Sequence, residues 1–282
     1  MRLGIQIPSF SFPGGKATLG QDLAAIARTA DDAGFSAIAV MDHFFQIGPV
    51  GPPEMEMLEA YTTLGFLAGH TSRAQLLTLV TGVIYREPGL LGKTLSTLDV
   101  LSGGRAVLGI GAAWNEEESV GLGFRFPPVA ERFERLEEAL QIVRQMFDGT
   151  DAPYSGKHYE LARTLNVPSP IGSLPIMIGG GGEKKTLRLV AQYAQLCNLF
   201  PGPDLAHKLE VLRGHCEAVG RPYDEIEKTV YYTFDTSKPS SEIVDELGGL
   251  KELGFGLALG GVRDIHTLAP LEKIGAEVLP QL

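Results

Sequence analysis

Residues 19–43, LGQDLAAIARTADDAGFSAIAVMDH, contain a helix, a buried strand and the polar residues that follow the strand. Over Leu19–Ala33 the apolar residues recur at helical spacing, and Gly34 follows where a helix C-cap favours glycine. Ser36–Val40 is a short apolar run, which is typical of a strand covered on both faces of a parallel sheet. This segment therefore predicts one helix–strand unit of an α/β fold.

The same alternation continues along the chain. Eight strand–helix units in 282 residues predict a (β/α)8 TIM barrel, a fold that typically takes about 250 residues. An open, doubly wound sheet is the alternative. The other predicted strands are Leu3–Ile7, Leu76–Val83, Arg105–Ile110, Pro175–Ile178, Leu196–Phe200, Ile226–Phe234 and Gly256–Leu259. The other predicted helices are Met55–Ala68, Leu90–Leu101, Val129–Phe147, Glu183–Ala194, Leu205–Val219, Ser241–Leu253 and Asp264–Ile274.

One segment interrupts this alternation. Gly149–Ser173 is rich in Pro, Gly and Tyr and lacks a helical period. It is predicted to be an insertion between the fourth strand and helix and the fifth strand, with a hairpin around Tyr159-Glu160-Leu161. Because no linker divides the chain, residues 1–282 are predicted to form one barrel domain.

The composition is that of an acidic globular protein. Lys and Arg number 24 against 34 Asp and Glu, a formal net charge of −10, which argues against nucleic acid as a main partner. No apolar run approaches the roughly 18 residues of a spanning helix, and the start at Met1–Ile7 leaves no room for a signal peptide. Two cysteines, Cys197 and Cys216, cannot form a disulfide framework. These features predict a cytoplasmic protein that binds no membrane.

Polar residues follow the predicted strands, where a barrel has its active site. Asp42 and His43 follow the second strand, so a carboxylate and an imidazole lie at the predicted mouth. Imidazole titrates near neutral pH, which favours a role in proton transfer. The alternative is that Asp42 caps the loop and His43 packs against Phe44 and Phe45. The residues predicted for the substrate pocket are Gln6, Phe44, Trp114 and Asn198.

A run of four glycines, Gly179–Gly182, follows the fifth strand and precedes a helix. Free backbone N–H groups at such a position favour phosphate, and Lys184, Lys185 and Arg188 supply local positive charge. A tight turn that needs positive φ is the alternative. Gly260-Gly261-Val262-Arg263, after the eighth strand, is a second candidate for binding an anion.

Other chemistries have less support in the sequence. The six histidines include neither HxH nor HExxH, so no metal site is predicted, and no GxSxG motif indicates a nucleophilic serine. Three adjacent carboxylates, Glu116–Glu118, are typical of a solvated face. Trp114, the only tryptophan, could stack on a planar ring or pack in the core or an interface.

Several of these segments occur together in one known family: Asp42-His43, Thr81–Val83, Arg86–Pro88, Thr97–Arg105, Gly109–Glu116 and Arg132–Leu140. In these segments, and across nearly its whole length, the chain resembles the luciferase-like monooxygenases. The Leu-Ser-Gly-Gly-Arg string ending at Arg105 is among the more specific motifs. The details are most similar to the actinobacterial branch that uses the deazaflavin coenzyme F-420 (F420) rather than FMN.

The resemblance implies an oxidoreductase barrel with an insertion and, as in many relatives, a homodimer. The deazaflavin ring is expected in the barrel mouth, backed by a non-prolyl cis peptide within Thr81-Gly82-Val83. The glycine turn is expected to hold the cofactor phosphate. The implied cofactor-binding residues are Asp42, His43, Thr81, Gly82, Val83, Asn115, Gly179, Gly180, Gly181, Gly182 and Lys184.

The implied reaction is hydride transfer between the deazaflavin and an unidentified small organic substrate. His43 would exchange a proton, and Asp42 would fix its tautomer. Sugar-phosphate dehydrogenases of this branch carry a glutamate where this chain has Ala112, which argues against a glucose-6-phosphate-type activity. Two alternatives are an FMN-dependent monooxygenase with a partner reductase and a barrel that binds its cofactor without turnover.

Overall fold

Eight parallel strands close into a barrel in the computed structural model, which describes residues 1–282. The strands pair in the order β3-β2-β1-β11-β10-β9-β8-β5, and β3 pairs with β5 to complete the ring. The predicted (β/α)8 barrel is therefore confirmed. The strands are β1 (Arg2–Ile7), β2 (Ala37–Val40), β3 (Gln75–Thr78), β4 (Thr81–Gly82), β5 (Ala106–Gly111), β6 (Tyr154–Ser155), β7 (Glu160–Leu161), β8 (Ile176–Gly179), β9 (Leu196–Leu199), β10 (Glu227–Tyr231) and β11 (Leu257–Gly261).

Helices surround the barrel and pack their apolar faces against its outer surface. None of them is both long and apolar enough to cross a membrane. The helices are α1 (Leu19–Ala33), α2 (Ala60–Ala68), α3 (Pro88–Ser102), α4 (Glu116–Gly121), α5 (Val129–Phe147), α6 (Thr186–Tyr193), α7 (Leu205–Val219), α8 (Ser240–Glu252) and α9 (Ala269–Lys273).

Several elements differ from the sequence prediction, and the short helix α4 has no counterpart in it. The predicted strand Leu76–Val83 is two strands, β3 and β4, separated by Leu79 and Val80. Helix α2 begins at Ala60 rather than at residue 55. The predicted last helix is interrupted because Leu268 has φ +67°, so that a 3-10 turn precedes α9. The hairpin expected near Tyr159–Leu161 is present as the antiparallel pair β6–β7.

The apolar core has two parts. Side chains from six strands fill the inside of the barrel: Ala37, Ala39, Leu77, Val107, Met177, Leu196, Leu257 and Leu259. A much larger cluster of 57 residues lies between the strands and the surrounding helices. The small filled interior makes the barrel a rigid support, and it leaves the carboxyl ends of the strands as the place for a ligand.

The Leu-Ser-Gly-Gly-Arg string caps two helices at the opposite, amino-terminal end of the barrel strands. Gly103 and Gly104 both have positive φ, a conformation that suits glycine. The Arg105 guanidinium donates to the carbonyls of Ala68, Thr71, Ala74 and Ser102 and to the Thr71 hydroxyl at 2.7–3.1 Å. This motif, one of those that carry the resemblance, is therefore structural in this chain.

Candidate active site

Asp42 follows β2 and is almost completely buried, with 2% of its surface exposed. Its two carboxylate oxygens accept hydrogen bonds of 2.7 and 3.0 Å from the Arg86 guanidinium. Glu59 also accepts from Arg86. Burial raises the pKa of Asp42, and the cation of Arg86 opposes this shift. Asp42 is thus one partner of a bidentate ion pair.

His43 is oriented by a different carboxylate from the one predicted. Its Nδ1 lies 2.5 Å from Oε1 of Glu118, and its ring meets the edge of Trp114 at a centroid distance of 5.4 Å. The expectation that Asp42 fixes the tautomer of His43 is wrong, because both oxygens of Asp42 bind Arg86. The imidazole lies at the barrel mouth, as predicted.

Glu118 is fully buried, whereas its neighbours Glu116 and Glu117 are exposed. The prediction that the three carboxylates form a solvated face is wrong for Glu118, because they begin the short helix α4, which turns Glu118 toward the mouth. Burial acts to raise the pKa of Glu118, but the hydrogen bonds from His43 and Tyr85 and from backbone N–H groups lower it below its usual value.

We expect Asp42→Ala to destabilise the fold without removing the proton-transfer group. The substitution leaves Arg86 buried with Glu59 as its only carboxylate, and breaking one side of a buried ion pair typically costs about 3–5 kcal/mol. Urea denaturation measures the loss. In the Asp42→Ala/Arg86→Met double variant, stability should be partly regained. Equal stability of Asp42→Ala and the wild type would contradict this assignment.

The non-prolyl cis peptide lies two residues earlier in the chain than expected. The only non-prolyl cis peptide bond joins Leu79 and Val80, not residues within Thr81–Val83. Thr81–Val83 are buried, and the Thr81 hydroxyl bonds the Tyr61 hydroxyl at 2.7 Å. Leu79 and Val80, between β3 and β4, are both partly exposed: Leu79 packs against the apolar cluster inside the barrel, and Val80 lies beside Gly111 and Gly179.

Two glycines make room for Val80. A Cβ on Gly179 would lie 2.9 Å from Val80 Cγ1, and a Cβ on Gly111 would lie 3.1 Å from Val80 Cγ2. A side chain at Gly179 would force Val80 to shift, and one at Gly111 would crowd it, so glycine on β5 and β8 suits the position of Val80. Val80 therefore provides an apolar surface over the ends of these two strands.

The glycine turn has free backbone donors. The Gly180 N–H is used, because it donates to the Asn198 carbonyl at 3.0 Å, and its φ is +117°. The N–H groups of Gly181 and Gly182, by contrast, have no acceptor in the protein. They lie in the loop between β8 and α6, three or more residues ahead of the N-cap Lys185, and free backbone N–H groups in such a loop favour an anion.

The positive charge beside this turn comes partly from a residue that the sequence analysis did not select. Lys208 of α7 reaches the turn, since a Cβ on Gly181 would lie 3.0 Å from its Nζ. It also pairs with Asp204 at 2.6 Å. Lys184 is exposed at the edge of the turn. Arg188 does not contribute as predicted, because Glu137 and Gln192 hold its guanidinium.

The four residues predicted for the substrate pocket differ in their surroundings. Gln6 and Asn198 are buried in the barrel wall, where they donate to the Leu79 carbonyl and the Thr229 hydroxyl. Trp114 is 60% exposed, and Phe44 packs against Phe124 and Tyr85 with centroid distances of 5.3 and 5.1 Å. These aromatic rings form a cluster beside His43.

Asn115, which the resemblance places near the cofactor, precedes α4 without capping it through its side chain. Its side-chain amide makes no hydrogen bond in the protein.

The second candidate for an anion site is the segment Gly260–Arg263. Gly260 and Gly261 lie at the end of β11, paired with β1, rather than in a loop before a helix. Arg263 beyond them is exposed and faces Asp235 at 3.3 Å. The glycine turn after β8 is thus the better anion site of the two.

The model of one protein family, the luciferase-like monooxygenases, matches residues 1–275. The chain belongs to this family. Among curated proteins, this luciferase-like chain is 30% identical over 239 residues to an F420-dependent glucose-6-phosphate dehydrogenase of Kineococcus radiotolerans. That match covers 82% of the chain but only 66% of the relative, just under two thirds of its length.

Two further comparisons cover almost the full length of both proteins compared. An uncharacterised protein of Mycobacterium tuberculosis is 29% identical, with 90% of this chain and 93% of the relative covered. A solved F420-dependent secondary alcohol dehydrogenase, in complex with an F420-acetone adduct, superposes with a TM-score of 0.83 at 17% identity, over 100% and 99% of the two chains. At that identity the superposition shows a shared fold and no more.

Proposed function

We propose that this luciferase-like protein is a coenzyme F420-dependent oxidoreductase that transfers a hydride between the deazaflavin and a small organic substrate. The observation that carries the proposal is the pairing, in one barrel mouth, of an oriented imidazole at His43 with free backbone donors at Gly181 and Gly182. The first group suits proton transfer, and the second suits a cofactor phosphate.

The residues of the mouth fit such a cofactor. The apolar surface of Val80 suits one face of a planar ring, and the exposed Trp114 suits its edge. The N–H groups of Gly181 and Gly182 and the ammonium of Lys208 suit the phosphate. Side chains at the two glycines would occupy space that the phosphate needs.

A bound deazaflavin supplies a ring carbon that accepts or donates a hydride. The chain's own residues position the reactants and handle the proton. Nε2 of His43 has no hydrogen-bond partner in the protein, so it is free to accept a proton from a substrate hydroxyl or to return one. Beside this group, Phe44 stacks on Phe124, and both rings pack against Tyr85, whose hydroxyl donates to the buried Glu118.

The deazaflavin is favoured over FMN for two reasons. The curated relative with 30% identity is F420-dependent by name. The coenzyme also carries an acidic tail beyond its phosphate, and Lys184 and Lys208 supply positive charge at the turn of an otherwise acidic protein. The substrate class of that relative is not extended to this chain, because Ala112 stands where the resemblance implies an acid.

We expect the protein to bind F420 more tightly than FMN and to bind it more weakly as salt rises, because exposed charge pairs are screened. Fluorescence titration with F420, and separately with FMN, at low and high ionic strength measures both affinities. Micromolar FMN binding with no measurable F420 binding would reject the deazaflavin and favour the FMN-dependent alternative.

We further propose that the protein is a homodimer and that it is located in the cytoplasm. The family resemblance supports a homodimer, and light scattering of the purified protein measures its mass. The location is the cytoplasm, in keeping with two buried, unpaired cysteines, Cys197 and Cys216. The partner is a small molecule rather than nucleic acid or a membrane.

A further inference from the structure

We propose that Glu118 is the positioning residue for His43: its carboxylate holds the ring proton on Nδ1 and leaves Nε2 as the nitrogen available at the barrel mouth. The proposal deepens the proposed function by naming the group that prepares the imidazole for proton transfer. The tautomer itself is a property of the protein without cofactor, so it can be tested separately.

The carboxylate of Glu118 is surrounded by hydrogen-bond donors. Oε2 accepts from the backbone N–H of Phe44 at 2.7 Å and from that of Phe45 at 3.2 Å. Oε1 lies 2.6 Å from the Tyr85 hydroxyl and 2.5 Å from Nδ1 of His43. The side chain is completely buried, so these four groups account for its hydrogen bonding.

The donors decide which histidine nitrogen carries the proton. Backbone N–H groups can only donate, and an ionised carboxylate can only accept. Burial, together with Glu118, raises the pKa of Tyr85, so its phenol keeps its proton and donates to Oε1. Nδ1 of His43 can approach the same oxygen at 2.5 Å favourably only if it also donates.

Nε2 is left without a partner in the protein, and it is not sealed from solvent. Its ring follows β2 at the barrel mouth and contacts the exposed Trp114. Asp42 cannot serve as the second partner, because its two oxygens bind Arg86. The arrangement gives a neutral imidazole one definite acceptor directed away from Glu118.

Glu118→Gln should reverse this tautomer. The N–H groups of Phe44 and Phe45 still need an oxygen, so the amide oxygen should occupy the position of Oε2. The amide NH2 group then takes the position of Oε1, where it donates to Nδ1 of His43. The ring proton moves to Nε2, and the nitrogen at the mouth changes from an acceptor to a donor.

The test is nitrogen-15 NMR of the full-length protein, at a pH where the imidazole is neutral, with the His43 signals assigned by their loss in His43→Asn. The wild type should show a protonated Nδ1 and an unprotonated Nε2, and Glu118→Gln should show the reverse. A wild-type ring with its proton on Nε2 would overturn the proposal, whether or not the variant folds. An unchanged tautomer in folded Glu118→Gln would also overturn it.

Two variants serve as controls. Glu117→Gln makes the same chemical change at the exposed neighbouring carboxylate and should leave the His43 spectrum unchanged. Tyr85→Phe removes one donor from Oε1 but keeps the carboxylate, so Nδ1 should stay protonated. A tautomer that reverses in either control would overturn the assignment to Glu118.

Activity separates this proposal from the proposed function. Glu118→Gln should slow single-turnover hydride transfer by on the order of 10²-fold, while the Kd for F420 changes little. Reversal of the tautomer with hydride transfer unchanged would overturn the role of Glu118 in positioning for catalysis. If the wild type binds no F420, the proposed function fails, but the NMR result still decides which group holds the ring proton.

Discussion

His43→Ala is expected to lower the rate of hydride transfer about 10²–10⁴-fold, the usual contribution of one acid–base group. The imidazole is held against Glu118, and its other nitrogen has no partner in the protein. F420 affinity should change much less, because the phosphate donors follow β8, on another side of the same barrel mouth from β2. Stopped-flow single turnover with an activated enone as surrogate acceptor measures the rate.

The control for this substitution is His207→Ala, which removes an exposed imidazole from α7. Melting temperatures of both variants show whether the fold is retained. Normal hydride transfer in well-folded His43→Ala would remove His43 from the mechanism. A large loss of stability with an unchanged rate would instead assign His43 a packing role beside Trp114.

The second large effect is expected for Gly181→Val, which should weaken F420 binding by about 100-fold or more. The added side chain would project toward Lys208 and cover the free N–H donors of Gly181 and Gly182. Charge-assisted hydrogen bonds are worth about 1.5–3 kcal/mol each, so the loss of two exceeds a hundredfold in Kd. The fold should survive, because only the flexible end of Lys208 must move.

Gly214→Val is the matched control, since Gly214 lies on the neighbouring α7 with open space around it. Gly180 is less suitable for the test, because its φ of +117° strains any side chain. Fluorescence titration compares the variants. Binding that survives Gly181→Val but is abolished by Gly261→Val would move the phosphate to the end of β11.

The sequence predicts elements well where the apolar period is long and its ends are marked. Helices α1, α5 and α7 have the bounds predicted from their spacing, and glycine caps α1 and α7 at Gly34 and Gly220. The barrel follows from the number of strand–helix units. Strand ends then correctly place His43 and the glycine turn at one mouth, because parallel strands direct their carboxyl ends the same way.

The partners within the site are harder to predict. Glu118 lies 75 residues from His43 in sequence, and its two acidic neighbours make it look like part of a solvated face. The adjacency of Asp42 and His43 suggests a pair, but successive residues project to different sides, and Asp42 meets Arg86 instead. Lys208 is an ordinary helix residue until α7 brings it beside Gly181.

The break between β3 and β4 is likewise determined by tertiary contacts rather than by the local sequence pattern. The run Leu76–Val83 has the composition of one continuous strand, yet Leu79 and Val80 interrupt it. What distinguishes the site is the absence of side chains at Gly111 and Gly179 on strands that follow later in the chain. The strand propensity of residues 76–83 contains no information about the space that these glycines leave for Val80.

A crystal structure of the complex with oxidised F420 tests the central claim most directly. The account predicts the deazaflavin ring in the barrel mouth against Val80, with His43 beside it. The phosphate should accept hydrogen bonds from the N–H groups of Gly181 and Gly182, with Lys208 alongside. A phosphate bound instead at Arg263 beyond β11, or a ring bound outside the mouth, would contradict the account.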